Sequence, residues 1–245
     1  MYEKRFYRDN LKENGLEYFT LVIKESDLYI GVDKVTPELR KRAEKRLAEL
    51  RQDLEIYIAE YPLFEMTFKP ITIKPGAPEI VRRMAAAAAQ ADVGPMASVA
   101  GCVAEMMGEE LAGFSREVIV ENGGDIFIKT ARKRNIGIYA GQSRFSGRLA
   151  LEITPEQTPL GICTSSGTIG HSVSLGKADV CLVTSAASAL ADAYASAIGN
   201  KVQTKADIET ALAVARTLPD LKGILLVINN EMGIWGDLSL VKKEL

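Results

Sequence analysis

The feature that constrains this chain most is the segment 160–200, LGICTSSGTIGHSVSLGKADVCLVTSAASALADAYASAIGN. Within it, residues 178–184 (ADVCLVT) form a short, predominantly apolar run that is typical of a strand buried on both faces. Residues 185–200 are mostly small and predict a helix with Ser185 or Ser188 as its N-cap. The segment therefore predicts a buried strand followed by a helix that a neighbouring element can approach closely. A polar Ser/Thr/Gly loop precedes both.

The predicted helix carries a single acid, Asp192, and Ser196 follows four residues later. Side chains at this spacing lie on the same face of a helix. Because an unpaired carboxylate among alanine and leucine side chains is costly, Asp192 is either capped by a nearby donor or neutralised by a cation. A carboxylate and a hydroxyl together suit a hard cation such as Mg²⁺. This helix face is therefore a candidate magnesium site, and both interpretations of Asp192 stay open.

The polar loop contains Thr164, Ser165, Ser166 and Gly167, and the only histidine of the chain, His171, follows it. Such loops leave backbone N–H groups free to meet an anion. A single histidine excludes a metal site built on several imidazoles, and in this polar context it is a candidate acid/base or phosphate contact. The motifs of serine hydrolases, P-loop NTPases and Rossmann dinucleotide-binding folds are absent. By residues alone, the chain is a soluble domain with a candidate anion and Mg²⁺ pocket.

The rest of the chain interleaves helical and strand patterns, which predicts one α+β domain over residues 1–245 with antiparallel or mixed sheets and packed helices. The helix predicted over 95–111 begins with a small, apolar turn whose free N–H groups could face an anion, or it is a plain buried helix. Residues 64–73 are predicted to be irregular or β. The other predicted helices are 36–60, 77–91 and 205–218, and the other predicted strands are 16–24, 27–32, 117–122, 126–130, 135–139, 148–153, 223–228 and 235–241.

Composition excludes several classes of partner. The net charge of −2 gives no field that would hold nucleic acid or an anionic membrane. No apolar run approaches the roughly 20 residues of a membrane-spanning helix, and the polar N-terminus does not resemble a secretion signal. The cysteines at 102, 163 and 181 lack the spacing of a disulfide framework or a zinc site. We therefore expect a cytoplasmic protein with neither a nucleic-acid nor a membrane partner.

Four motifs occur in an order that resembles the ApbE-type FAD:protein FMN transferases. They are residues 120–125 (VENGGD), residues 164–167 (TSSG), His171, and the triplet 191–193 (ADA) with Ser196. Members of that family have a strand ending in a Gly-Gly-Asp/Asn turn, a Thr-Ser-Gly loop, a histidine, and a helix with Ala-Asp-Ala followed by threonine. Each motif alone is common, whereas the four in this order are fairly specific. The whole chain resembles an ApbE-related branch more than an authentic transferase.

The resemblance implies a fold with two lobes around a cleft that binds FAD and holds Mg²⁺ against its pyrophosphate. It implies transfer of FMN to a serine or threonine of an acceptor protein, or hydrolysis of FAD. His171 corresponds to the catalytic histidine, and the implied metal ligands are Asp192, Ser196 and the main-chain carbonyl of Ala97. The implied cofactor-binding residues are Gly123, Gly124, Asp125, Thr164, Ser165, Ser166 and Gly167.

The chain has an additional serine in the Thr-Ser-Gly loop and Ser196 in place of the family threonine, and it departs from the family pattern at two further places. His171 is followed by residues 172–174 (SVS) where the family has an Asp-Pro run, and residues 94–99 (GPMASV) lack the family lysine. The leading hypothesis is a Mg²⁺-dependent flavin-nucleotide enzyme, either transferase-like or FAD-hydrolysing. The alternatives are a non-catalytic FAD- or nucleotide-binding protein, and an enzyme of this fold that acts on another ligand. Expected partners are a flavin nucleotide or similar anionic small molecule, an acceptor protein, and a second copy in a homodimer.

Overall fold

The computed structural model of the protein describes residues 8, 15–167 and 176–243. Short 3-10 turns cover Pro95–Ser98 and Pro155–Gln157. The helices are α1 Pro37–Glu60, α2 Leu63–Met66, α3 Glu79–Ala91, α4 Val99–Leu111, α5 Ser188–Gly199 and α6 Asp207–Ala215. The strands are β1 Glu17–Ile23, β2 Ser26–Val32, β3 Val118–Asn122, β4 Asp125–Lys129, β5 Arg134–Gly137, β6 Leu149–Ile153, β7 Leu160–Ser165, β8 Val180–Ser185, β9 Leu221–Ile228, β10 Glu231–Gly236 and β11 Ser239–Lys242.

In the described part of the chain, the strands assemble into an eight-stranded sheet and a three-stranded sheet. The order in the large sheet is β1-β2-β3-β4-β7-β8-β9-β10, and the order in the small sheet is β11-β6-β5. Neighbouring strands in both sheets run antiparallel. Helices packed with antiparallel sheets confirm the predicted α+β class. The predicted hairpin around the Gly-Gly-Asp turn is also confirmed, with Asn122 opposite Asp125 in the β3–β4 pair.

The two faces of the large sheet bury different cores. One face is covered by α1, α4, α5 and α6, with α3 packed on α4 and α5, and the other packs against the small sheet. Because successive side chains of a strand point to opposite faces, Phe127 and Cys163 face the helices, whereas Ile126 and Ile162 face the small sheet. Helix α5 packs on β7, β8, α3 and α4. Its acid, Asp192, therefore lies on the helix-covered side of the sheet.

Helix α1 forms as its local sequence predicts. The hydroxyl of the N-cap Thr36 accepts a hydrogen bond from the N–H of Leu39 at 3.2 Å, and Pro37 fits the first helical turn. The helix ends at Glu60 because Tyr61, which precedes a proline, leaves the helical conformation. Its buried face consists of Leu39, Ala43, Leu47, Leu50, Leu54 and Tyr57.

Some local predictions were wrong. The predicted polar loop begins inside a strand, because Thr164 and Ser165 complete β7 and pair with Leu182 and Cys181 of β8. The helix predicted over 95–111 is present, but its first turn, Pro95–Ser98, is a 3-10 turn rather than part of α4. The segment predicted as irregular or β at 64–73 starts with the short helix α2. In each case backbone pairing or tertiary packing, which a local pattern does not contain, decides the conformation.

The N-cap predicted for α5 was also wrong. Ser185 is the last residue of β8 and Ser188 lies inside the helix, so the N-cap position falls on Ala187, whose side chain cannot accept a hydrogen bond. The strand predicted over 235–241 is divided between β10 and β11, which belong to different sheets. A change of sheet requires a bend, and Gly236, with φ at 92°, supplies it.

A buried ion pair connects the two sheets. Glu117 immediately precedes β3, and Arg134 is the first residue of β5. The carboxylate of Glu117 lies 2.9 Å from Nη2 and accepts a hydrogen bond from Nε of Arg134 at 3.0 Å, and both side chains are 2% exposed. Thr130 and Arg132 donate to the same carboxylate. The pair holds the edge of the small sheet against the large one.

Within the described residues, no helix has both the length and the apolarity needed to cross a membrane. Cys102, Cys163 and Cys181 are free thiols and all are buried.

Candidate functional site

Asp192 of α5 caps the N-terminus of α4. Its Oδ2 accepts a hydrogen bond from the N–H of Gly101 at 2.9 Å, and the N–H of Ala100 bonds to the same carboxylate. Helix α4 has no side-chain cap of its own, and its first N–H groups need acceptors. Of the two interpretations of Asp192, the capping donor is present in the structure. The N–H groups of Ala100 and Gly101 are consequently occupied by Asp192 and are not free to receive a ligand anion.

Gly101 makes the contact between α4 and α5 possible. A Cβ at this position would lie 2.4 Å from the carbonyl oxygen of Ser188 and 2.7 Å from Cβ of Asp192. Such distances are well inside van der Waals contact, so only glycine fits here. The two helices therefore touch through their backbones, and Asp192 reaches the N–H of Gly101 directly.

Glu105 of α4 caps the N-terminus of α5, just as Asp192 of α5 caps the N-terminus of α4. Its Oε2 accepts a hydrogen bond from the N–H of Ala189 at 3.1 Å, and the N–H of Ser188 bonds to the same carboxylate. The carboxylate thus supplies the cap that Ala187 cannot. Nη1 of Arg83, from α3, lies 2.9 Å from Oε1 of Glu105. Sequence reasoning missed Glu105, although an acid inside the apolar run 99–107 (VAGCVAEMM) carries the same signal that identified Asp192.

Asp125 places a second buried carboxylate next to Asp192. It is the first residue of β4, and its Oδ1 accepts a hydrogen bond from the N–H of Thr164 at 3.1 Å. Burial raises the pKa of Asp125 well above its usual value, and the charge of Asp192 raises it further. Burial likewise raises the pKa of Asp192 to about 7, although its backbone hydrogen bonds act in the opposite direction. Among the described residues, no lysine or arginine forms a salt bridge with either carboxylate.

The oxygen atoms near Asp192 fit a hard cation. A carboxylate has about four lone-pair sites, so Asp192 keeps acceptor capacity beyond its two N–H donors. Ser196 lies one turn further along α5 and is half-buried, and Ala97 belongs to the 3-10 turn that packs against α5. Carboxylate, hydroxyl and carbonyl oxygens are ligands that Mg²⁺ accepts. The described residues contain no cluster of three or more His, Cys, Asp or Glu side chains suited to a metal, so a cation here would also use hydroxyl, carbonyl or ligand oxygens.

The Gly-Gly-Asp turn and the end of β7 are joined by hydrogen bonds. Gly123 and Gly124 have φ values of 68° and 106°, which favour glycine. The Thr164 hydroxyl donates to the carbonyl oxygen of Gly124 at 3.2 Å. The N–H of Gly124 donates to Oε1 of Glu121 at 2.8 Å. Glu121 is fully buried and also pairs with Arg8 at 2.7 Å, so it fixes the turn; sequence reasoning missed this role.

The candidate cofactor-binding residues are distributed over both faces of the large sheet. Asp125 lies on the helix side, and so does Ser165, whose Oγ would be 3.4 Å from a Cβ at Gly199. Thr164 lies on the small-sheet side. There, with Gly124 and Glu121, it lines a cleft of about 60 Å³ whose other walls include Ile126, Ile136, Tyr139, Ile162 and Leu182. Sites for drug-sized ligands measure about 300–1,000 Å³, so this cleft accommodates only a fragment of a nucleotide.

Ser166 and Gly167, two further candidate cofactor-binding residues, lie at the end of the described range 15–167. Ser166 is half-buried, and the N–H of Gly167 donates to the carbonyl oxygen of Ala178 at 2.9 Å. A Cβ on Gly167 would lie 2.0 Å from the carbonyl oxygen of Gly176. Gly167 and Gly176 therefore lie too close together for Gly167 to carry a side chain. His171 lies outside the described residues.

Solved structures of flavin transferases share this architecture. The apo form of the flavinyl transferase ApbE of Pseudomonas stutzeri superposes with a TM-score of 0.62 at 14% identity, covering 94% of this chain and 95% of that chain. The flavin transferase ApbE of Vibrio cholerae gives a TM-score of 0.57 at 12% identity, with coverages of 91% and 97%. At these identities the likeness defines the fold, which is that of ApbE.

A protein-family model described as AbpE bacteria matches residues 8–229, and the chain belongs to this ApbE family. Similar chains include the UPF0280 protein of Methanocaldococcus jannaschii, 40% identical over 230 residues, with 91% of this chain and 93% of the relative covered. A UPF0280 protein of Methanocella arvoryzae is 43% identical over 193 residues, covering 78% of each chain. A UPF0280 protein of Methanosarcina barkeri is 37% identical over 230 residues, with coverages of 93% and 88%.

Proposed function

We propose that this protein is a Mg²⁺-dependent flavin-nucleotide enzyme that transfers FMN from FAD to an acceptor hydroxyl or hydrolyses FAD. The single observation that carries the proposal is the buried pair Asp125 and Asp192. Neither carboxylate has a salt-bridge partner among the described residues, and burial together with mutual repulsion raises the pKa of Asp125. A bound cation would remove this repulsion. Asp125 lies where the Gly-Gly-Asp turn meets β7, the turn at which the resemblance to the ApbE-type transferases implies that the flavin nucleotide binds.

In the proposed reaction, Asp192, Ser196 and the carbonyl of Ala97 would hold the cation. When bound, Mg²⁺ would neutralise charge on the pyrophosphate and on the leaving phosphate. The Gly-Gly-Asp turn and the hydroxyls of Ser165 and Ser166 would orient the nucleotide. The acceptor oxygen forms a bond to the FMN phosphorus while the bond to the AMP oxygen breaks. His171 would take the proton of the attacking hydroxyl or water as general base.

A second candidate function is binding of a flavin nucleotide without turnover. It is favoured by the departures near the catalytic positions, namely the Ser-Val-Ser sequence after His171 and the missing lysine at 94–99. These changes leave Asp125, Asp192 and Ser196 in place. The binding site and the chemistry can therefore be tested separately.

The test is a titration of the purified protein with FAD, with and without Mg²⁺, that follows flavin fluorescence and then assays AMP and FMN. Mg²⁺-dependent binding with AMP release supports the enzyme, and binding without AMP release at any Mg²⁺ concentration supports the second candidate. Ser196→Thr keeps a hydroxyl and should stay within about threefold of wild-type affinity for Mg²⁺, whereas Ser196→Ala should lose about tenfold or more.

Asp53→Asn, which changes an exposed acid on α1, is the matched control and should bind as wild type does. If Asp192→Ala left FAD affinity and its dependence on Mg²⁺ unchanged, the proposed cation site would be wrong. If the protein bound no FAD under any condition, FAD would be rejected as its ligand and only the family fold would stand.

A further inference from the structure

Helices α4 and α5 cap each other through a closed loop of interactions. The N–H of Gly101 bonds to Asp192 at 2.9 Å, and the N–H of Ala189 bonds to Glu105 at 3.1 Å. In each helix the acid lies about one turn after the capped N–H groups, since Glu105 follows Gly101 by four residues and Asp192 follows Ala189 by three. Neither helix has a side-chain cap from its own preceding residues. The position of each carboxylate thus depends on the other.

Arg83 fixes the Glu105 side of this loop. Its Nη1 lies 2.9 Å from Oε1 of Glu105 and also bonds to Glu109, and its Nη2 bonds to Glu79 at 2.6 Å. Glu105 is 8% exposed, so its carboxylate is held by α3 from one side and by the N-terminus of α5 from the other. A negative charge at a helix N-terminus is favourable because it meets free N–H groups and the positive end of the helix dipole. This arrangement restrains α5 along its axis.

We propose that Glu105 is a positioning residue for Asp192, and through it for the cation site, in so far as the proposed function holds. The Glu105 carboxylate sets the position of the α5 N-terminus relative to α4, and Asp192 lies one turn beyond that point. The hydrogen bond that the N–H of Gly101 donates to Asp192 then fixes the rotation of the Asp192 carboxylate, so that its remaining lone pairs point in one direction. Residues that orient a metal ligand typically change metal affinity by about 10–100-fold when they are removed.

The test uses Mn²⁺ alone as the probe, titrated by calorimetry or electron paramagnetic resonance at a temperature where each variant is folded. Glu105→Ala should weaken Mn²⁺ binding at least about tenfold. Glu105→Gln keeps an oxygen that can accept from Ala189 and should stay within about threefold of wild type. Glu109→Ala is the matched control, since Glu109 is on the same helix, contacts the same Arg83 and is half exposed; it should leave the affinity unchanged.

A second readout separates this proposal from the proposed function. Hydrogen exchange of the Gly101 amide reports the hydrogen bond from this amide to Asp192. The Glu105 carboxylate takes no part in that bond, because it accepts from Ala189 instead. Glu105→Ala should speed that exchange at least about tenfold, while Glu109→Ala should not. If the wild type bound no Mn²⁺, the cation site would be rejected. The positioning role of Glu105 would then be tested by the Gly101 hydrogen exchange alone. Unchanged Gly101 exchange in a folded Glu105→Ala protein would overturn the proposal, as would unchanged Mn²⁺ affinity in that variant.

Discussion

Asp192 combines deep burial, two N–H donors and a neighbouring acid. Burial raises its pKa to about 7 from an ordinary value of 3.8. Because the charge of Asp192 also acts on Asp125, protons taken up here belong to the pair rather than to one side chain. At neutral pH, and with no cation bound, the pair retains protons that both groups would lose in the unfolded chain.

This proton uptake predicts a pH-dependent stability. A carboxyl group whose pKa is higher in the folded state stabilises the protein fully below the unfolded pKa, and this contribution is lost as the pH rises through the folded pKa. With EDTA present, the free energy of unfolding should therefore fall between pH 5 and pH 8, by on the order of 2–4 kcal/mol from these groups. Urea unfolding at both pH values measures it.

Asp192→Asn is the control for that experiment, because an asparagine can still accept the N–H of Gly101 but does not titrate. Its stability should change markedly less between the two pH values than that of the wild type. An equal decrease in both proteins would show that other groups cause the dependence.

At the scale of elements, the contact between α4 and α5 determines the candidate site. Gly101 lets the two backbones meet. The caps are completed by Asp192, 91 residues from its donor Gly101, and by Glu105, 84 residues from its donor Ala189. The contact is therefore a tertiary one, although each helix is encoded locally. The contact between α4 and α5 leaves little room for a larger side chain at position 101.

Gly101→Ala should destabilise the protein by about 1–3 kcal/mol or more, because the new Cβ would lie 2.4 Å from the carbonyl oxygen of Ser188 and must force the helices apart. The same change should weaken cation binding by displacing Asp192. Gly113→Ala, where the nearest atom is an ordinary 3.5 Å away, serves as the control and should change stability little. Urea denaturation of both variants is the measurement, and equal midpoints would contradict the tight contact.

At the scale of the whole molecule, the Glu117–Arg134 pair couples the small sheet to the large one. Burial would by itself raise the pKa of Glu117, but hydrogen bonds from Thr130 and Arg134 outweigh this effect and leave the pKa lowered. The pair therefore stabilises the fold above the ordinary carboxyl pKa and loses that contribution in acid. Both charges are removed from water, so the loss of one takes away the opposite charge that the other faces at 2.9 Å.

Glu117→Gln should destabilise the folded chain by about 3–5 kcal/mol, because it removes a buried carboxylate charge that lies 2.9 Å from the guanidinium of Arg134. Glu49→Gln, which removes an acid from exposed pairs on α1, should cost less than about 1 kcal/mol. The two variants are compared by urea unfolding at pH 7. A similar small loss in both would mean that the buried pair does not join the sheets energetically.

Much of the secondary structure follows from the sequence alone. The apolar face of α1 with its Thr36 cap, the β1–β2 hairpin, and the β3–β4 hairpin at the Gly-Gly-Asp turn are local patterns, and the α+β class follows from their interleaving. The order of motifs from residue 120 to 196 was enough to indicate the ApbE family. Asp192 stood out because a lone acid among alanines requires a partner.

The tertiary structure decided what that partner is. Capping of α4 by Asp192, capping of α5 by Glu105, and the burial of Glu121 beneath the turn all join residues far apart in sequence. The sheet register placed Thr164 and Asp125 on opposite faces. Hydrophobic periodicity and helix or strand propensity depend on residues that are close in sequence. They determine whether a segment is a helix or a strand and which of its faces is buried. Which acid meets which free N–H group depends on how the elements pack, and only the folded chain determines that.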